Sequence, residues 1–286
     1  MASPLSGKTL AVIGDPIEHS LSPVIQQAML DALGLDCTYG RIRVQAGTVA
    51  DWLPGAAALG LAGFNATMPH KTDLVPLMDE LSADARMYRS VNTVALRGGR
   101  FLGFNTDGEG FLRSLLDAGI ETAGRHIVVF GAGGASRSVV LKLAAEKAAS
   151  ITVCCRTPEK ARELASPLLR VTDLSPESTD AVLAKADLFI NCTPLGMQGV
   201  GADFEDFRFL DALPASAPVC DLIYRPLKTN LLREAEQRGH LAVNGLGMLI
   251  HQAILALEHF ADMELDAAAM KAAVMERLLP VLEHTR

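Results

Sequence analysis

Short apolar runs alternate with longer amphipathic stretches along the chain, and this rhythm predicts its elements. KTLAVI (8–13) reads as a strand. A helix then opens at Ser22-Pro23, with Ser22 as N-cap and Pro23 at the first helical position, where its missing N–H is harmless. Val24, Ala28 and Leu35 lie near one face of that helix, and Ile25, Met29 and Leu33 widen it. Strand-like runs follow at CTYGRIRV (37–44), LAGFN (61–65), VNTVAL (91–96) and FLGFN (101–105), with helical segments predicted at 48–59 and 70–80. The alternation implies βαβ units and a mostly parallel sheet.

A second series begins near residue 107. Asp107 stands before the amphipathic stretch GEGFLRSLLDAG. HIVVF (126–130), ITVCC (151–155), DLFINC (187–192) and PVCDLIY (218–224) read as strands separated by helix-length segments, the pattern of a Rossmann domain. The end is helical, at MLIHQAILALEHF and DAAAMKAAVMERLLPVLEH. The expected class is α/β.

Composition narrows the function classes. A length of 286 residues, 49% of them hydrophobic, supplies a full core. A net charge of -7 gives no reason to expect a nucleic-acid partner, which needs clustered Lys and Arg. Five cysteines without CxxC spacing fit neither a disulfide framework nor a zinc site. His19, His70 and His251 have no metal-ligand spacing, so no metal is expected. The start, MASPLSGKTLAV, is unlike a signal peptide, and no apolar run is long enough to cross a bilayer. A cytoplasmic protein with a small-molecule substrate and no membrane partner is expected, as a monomer or homodimer.

HIVVF-GAGGAS-RSVVLKLAAEK has the order strand, glycine turn, helix that a dinucleotide pyrophosphate requires. Gly131 permits the tight turn, and Gly133 allows backbone to approach the pyrophosphate at the helix N-terminus. Ser136 replaces the third glycine. At the tip of the next strand stand Arg156 and Thr157, with Lys160 nearby and no acid at the tip. A guanidinium and a hydroxyl suit a 2′-phosphate, so NADP is expected rather than NAD.

Further motifs are GDPIEHSLSP (14–23), NATMPHK (65–71), VNTV (91–94), GFNTDGEG (103–110), NCTPLGM (191–197), DLIYRPLKT (221–229) and NGLGMLIHQ (244–252). In order and spacing they resemble the shikimate dehydrogenase family over nearly the whole chain. The resemblance implies a substrate domain (1–106 with 248–286), a Rossmann domain binding NADP (107–247), and terminal helices returning to the substrate domain. It implies reversible reduction of 3-dehydroshikimate to shikimate, a step toward aromatic amino acids, with substrate in a cleft between the domains.

By the same matching, Ser20 and Ser22 bind the substrate carboxylate. Asn65, Thr67, Asn92, Asp107 and Gln252 line the hydroxylated ring, and Tyr224 lies near carboxylate and nicotinamide. Lys71 and Asp107 form the catalytic pair. The cofactor positions are Gly131, Ala132, Gly133, Gly134, Ala135, Arg156, Thr157, Lys160, Thr193, Gly245 and Met248. The chemistry is consistent: a lysine supplies a proton to the nascent alkoxide, and an aspartate holds its ammonium. Glycine-rich crossings near 103–107 and 245–248 are the expected hinges.

The chain departs from the family pattern at Gln26, where His is frequent, at Arg89-Ser90, where Gly-Ala is usual, and at Cys155, a frequent Asn. Two alternatives follow. One is an NAD-dependent quinate/shikimate dehydrogenase; Thr at the second serine tends to mark quinate preference, and Ser22 favours shikimate. The other is a non-catalytic Rossmann binding or regulatory protein, against which Lys71 and Asp107 speak.

Overall fold

The computed structural model describes residues 4–162 and 167–283. Two compact units are present, one running through Gly110 and resuming at Ile250, the other spanning Phe111–Leu249.

The first unit contains β1 (Lys8–Gly14), α1 (Ser22–Ala32), β2 (Cys37–Arg43), α2 (Val49–Ala58), β3 (Leu61–Ala66), β4 (Glu80–Leu81), α3 (Ala83–Tyr88), β5 (Thr93–Arg97) and β6 (Arg100–Phe104). Its sheet has the order β2-β1-β3-β5-β6-β4. β1 is parallel to β2 and β3, whereas β5 is antiparallel to both β3 and β6. The antiparallel hairpin follows from Gly98-Gly99, both at positive φ (58° and 78°). Two such residues make the tight turn whose twist matches that of the strands.

The segment 70–80 departs from the helix expected there. It forms turns, a 3₁₀ helix at Val75–Leu77 and the start of β4. Pro76 removes a donor from its middle and disfavours helical geometry at Val75. Its apolar residues still face inward: Leu74 is fully buried, and Val75, Leu77 and Met78 pack on the same core as Ile13, Phe64 and Val94.

α4 (Asp107–Asp117) carries the chain into the second unit. There follow β7 (His126–Phe130), α5 (Gly134–Ala145), β8 (Ser150–Cys154), α6 (Pro158–Arg162), β9 (Leu169–Thr172), α7 (Pro176–Leu183), β10 (Leu188–Asn191), β11 (Val219–Asp221), α8 (Asn230–Gln237) and β12 (Ala242–Val243). The strand order is β12-β11-β10-β7-β8-β9, parallel throughout, which is the doubly wound dinucleotide-binding order. The continuous apolar run of β7 is explained by burial on both faces. Ile127 and Val129 join one core with Leu115 and Val139, and Val128 and Phe130 join another with Phe189 and Leu231. β9 and β12 are too short and too little buried to stand out in the sequence.

α9 (Leu246–Ala261) returns the chain to the first unit, and α10 (Ala267–Glu283) follows. Asp266 Oδ1 accepts from the N–H groups of Ala268 and Ala269, capping α10. No helix among the described residues is long and apolar enough to cross a membrane.

Candidate active site

In the first unit the candidate residues gather beyond the C-terminal ends of β1 and β3 and at the start of α4. Lys71 Nζ donates to Asp107 Oδ2 at 2.6 Å. The lysine side chain is 27% exposed and the aspartate 8%, so the ammonium can meet a ligand while its partner is shielded. Asn92 Nδ2 donates to Asp107 Oδ1 at 2.8 Å, so both carboxylate oxygens have a donor. The backbone helps: Val91 N–H donates to the Lys71 carbonyl at 2.8 Å, tying the lysine's loop to the asparagine's.

Asn65, at the end of β3, donates to the Asn92 carbonyl at 3.1 Å and to Thr93 Oγ1 at 3.0 Å, and accepts from the Tyr39 hydroxyl at 2.7 Å. Its amide is thereby aimed before any ligand arrives. Thr67 lies close over Gly14: a β-carbon on that glycine would stand 2.6 Å from Thr67 Cγ2. Ser20 Oγ donates to Ser22 Oγ at 3.2 Å. Ser22 begins α1 but caps no helix N–H, unlike the sequence expectation; its hydroxyl is turned to Ser20 instead. Gln252 sits on α9 with its backbone against Gly110, one turn along α4 from Asp107. A β-carbon at Gly110 would come within 2.7 Å of Gln252 N.

Several organising residues escape the sequence reading. Asn105 Oδ1 accepts from Asp107 N–H at 3.0 Å, and its amide donates to the Ser90 carbonyl at 2.9 Å. Thr106 donates its N–H to Asn92 Oδ1 at 3.0 Å. The available signal was an Asn two residues before a candidate position, which favours a side-chain-to-backbone turn.

In the second unit Gly131 follows β7 at φ +100°, a conformation costly for any other residue. Its wall is the backbone of Cys192 and the methyl of Thr193, each 3.1 Å from where a β-carbon would be. Gly133 is extended and precedes α5. Gly133, Gly134 and Ala135 are exposed, and no protein atom lies within 4 Å of a β-carbon placed at either glycine. The first N–H groups of α5 are thus open to an anion. Ser136, in the third-glycine position, is fully buried and donates to the Gly131 carbonyl at 2.7 Å, closing the turn.

Arg156 and Thr157 are exposed beyond β8. Arg156 has no ion pair among the described residues, and Glu159 is engaged by Arg162 at 3.3 Å. Among the described residues no carboxylate is paired with Arg156 at the strand tip. The side chain of Lys160 lies outside the described residues. Thr193 donates through N–H and Oγ1 to Asn191 Oδ1 at 2.9 and 2.7 Å. Gly245 is pressed against β11's extension; a β-carbon would fall on the Leu222 carbonyl, 1.9 Å away. Met248 packs partly buried against the core beside Leu115. Tyr224 is half-buried beyond β11, and that burial raises its phenol above the ordinary value. Among the described residues no three His, Cys, Asp or Glu are grouped to hold a metal ion.

A doubly wound sheet with an open glycine turn, on the same chain as a shielded lysine–carboxylate pair, defines a two-unit dinucleotide-dependent oxidoreductase. Three family models match: the shikimate dehydrogenase substrate binding domain over residues 12–94, shikimate/quinate 5-dehydrogenase over 115–196, and the shikimate 5'-dehydrogenase C-terminal domain over 245–275. The chain belongs to the shikimate dehydrogenase family. It is 41% identical to the NADP(+) shikimate dehydrogenase of Symbiobacterium thermophilum, covering 95% of each chain. It superposes with TM-score 0.83 on the Thermus thermophilus shikimate 5-dehydrogenase solved with NADP(H) and shikimate, at 32% identity, covering 94% of this chain and 99% of that one. A ligand-free 5-ketofructose reductase from Gluconobacter shares the fold at TM-score 0.81 and 30% identity, covering 94% and 98%. The fold therefore serves more than one named reductase, and the substrate has to be argued from side chains.

Proposed function

We propose that this chain reversibly reduces 3-dehydroshikimate to shikimate with NADPH, in the route to aromatic amino acids. The observation that carries the reading is the Lys71–Asp107–Asn92 chain of hydrogen bonds, in which a partly exposed ammonium is held by a buried carboxylate. Ser20 and Ser22 bind the ring carboxylate, with Tyr224, and Asn65, Thr67, Asn92 and Gln252 address the hydroxyls. Serine rather than threonine at position 22 supports shikimate over quinate.

NADPH supplies the hydride when bound. The turn Gly131–Ala135 would receive its pyrophosphate, Arg156, Thr157 and Lys160 its 2′-phosphate, and Thr193, Gly245 and Met248 would line the rest of its path. Lys71 donates a proton to the carbonyl oxygen as charge develops there, and Asp107 keeps the ammonium aimed. In shikimate oxidation the same proton returns to Lys71. The substrate domain spans 1–106 and 248–286 and the NADP domain 107–247. The enzyme works in the cytoplasm on a small molecule, without nucleic acid or membrane, as a monomer or homodimer.

Product identification tests the reading. Incubation with shikimate and NADP+ is expected to yield a compound two hydrogen atoms lighter than shikimate by mass spectrometry. Unchanged shikimate beside an active reduction of some other keto-sugar would overturn the substrate assignment.

A further inference from the structure

Beneath the strand ends of the second unit lies a buried carboxylate that the proposed chemistry does not use. Asp221, the last residue of β11, is 1% exposed. Its Oδ1 accepts from Asn191 Nδ2 at 3.0 Å and from Ile223 N–H at 3.1 Å, and its Oδ2 accepts from Thr229 Oγ1 at 2.7 Å. Asn191 is fully buried, and its other amide atom, Oδ1, takes both donors of Thr193. One continuous path of hydrogen bonds therefore runs Thr229–Asp221–Asn191–Thr193.

This path joins three loops that carry proposed cofactor or substrate contacts. Thr193 and Cys192 form the wall against Gly131. Ile223 precedes Tyr224, and the Ile223 carbonyl accepts from Gly245 N–H at 3.0 Å. An apolar residue at 221 would leave the Asn191 amide and the Ile223 N–H without their acceptor in a buried place, a penalty the native packing avoids. Asp221 itself stays buried at a cost: desolvation pushes its carboxyl up to about 6, against the donors that lower it. Such a group is retained where its bonds fix geometry that a hydrophobic residue would not.

We propose that Asp221 is a positioning residue for the cofactor, setting Thr193 through Asn191 while anchoring the turn that leads to Tyr224. The inference rests on the functional reading above, because it takes Thr193 to contact NADP.

The full-length enzyme with Asp221→Leu tests it. The KM for NADP+ and its calorimetric Kd are expected to rise by about tenfold, the change one lost charge-assisted hydrogen bond produces. The calorimetric Kd for shikimate alone is expected to rise by less than that for NADP+, because only the turn before Tyr224, through the Ile223 N–H, connects Asp221 to the proposed carboxylate contacts. Asp221→Asn is expected to restore NADP+ affinity, because its oxygen can still accept from Asn191 and Ile223 while its amide turns to the Thr229 hydroxyl. If Asp221→Leu does not fold, Asp221→Ser replaces it, since a serine cannot span Asn191 and Thr229 together. A lowered Tm with unchanged NADP+ affinity in the folded variant would show a merely structural role and overturn the proposal. Wild-type protein that binds NADP+ but does not oxidise shikimate would overturn the functional reading instead, leaving the NADP+ Kd to judge Asp221.

Discussion

At the scale of single residues, the proposed chemistry depends on Lys71 being aimed rather than merely present. Asp107 has both oxygens occupied, one by the ammonium and one by Asn92. Lys71→Ala is expected to lower kcat by about 10²–10⁴, the usual worth of a positioned acid or base, with a much smaller change in KM. Steady-state kinetics with shikimate decide it; a normal kcat with a raised KM would reduce Lys71 to a binding group. Ser20→Ala and Ser22→Ala are expected to raise the KM for shikimate while leaving kcat nearly unchanged, as removal of uniform binding does. An unchanged KM in both would remove the serines from the carboxylate site. Lys71, Asp107 and Asn92 were singled out in the sequence as members of an ordered set, each having an ordinary explanation when taken alone, and the structure brings their side chains together. Asp221 and Asn105 were not, because their partners arrive from loops distant in sequence or through backbone N–H groups.

At the scale of elements, one device recurs at the strand ends. Asn105, Asn191, Asp221 and Asn244 each accept, through a side-chain oxygen, from the N–H two residues on, and so shape the turns at Asp107, Thr193, Tyr224 and Gly245. The strands themselves were readable from apolar runs, whereas the direction of β5 and β6 was carried by Gly98-Gly99, a turn signal outweighed by the alternating pattern. Arg89 shows the cost of a departure from the family pattern. It ends α3 in the left-handed region at φ 49°, exposed, where glycine is at ease. Arg89→Gly is expected to remove roughly 1 kcal/mol of backbone strain and raise Tm by about 2–4 °C, without changing kcat. A fall in Tm on calorimetry would mean that the arginine side chain stabilises more than its backbone loses.

His259 ties α9 to β6 by stacking on Phe104, with ring centroids 3.9 Å apart. Burial, aided by Arg97, pushes its pKa down to about 4. The native state therefore refuses a proton that the unfolded chain accepts near 6.5. Stability from this residue is present above that value and is lost as pH falls toward 4. Asp221, whose folded pKa is raised to about 6, acts in the opposite sense over part of the same range. A comparison of Tm against pH isolates the histidine: His259→Phe, which keeps the stack, is expected to lose less stability on acidification than the wild type. Parallel curves would contradict the assignment.

At the scale of the whole molecule, two chain crossings join the units, and both lie within helices, after Gly110 in α4 and before Ile250 in α9. The glycines near these crossings were read as freedom, but their surroundings point to close packing. Gly103 faces Met78, Gly110 meets the Gln252 backbone, Gly245 meets Leu222, and Gly247 lies 2.9 Å from Ser114 Cβ when given a β-carbon. Sequence alone cannot separate these roles, since glycine serves both. Cofactor choice also belongs to this scale, because the proposed reaction needs both units. The measurement that tests the whole account most directly is kcat/KM for shikimate and quinate, each with NADP+ and with NAD+. The highest value is expected for shikimate with NADP+, with both the change to quinate and the change to NAD+ lowering it. A higher value for NAD+ would contradict the role given to Arg156, and a higher value for quinate would contradict the reading of Ser22 and of the substrate itself.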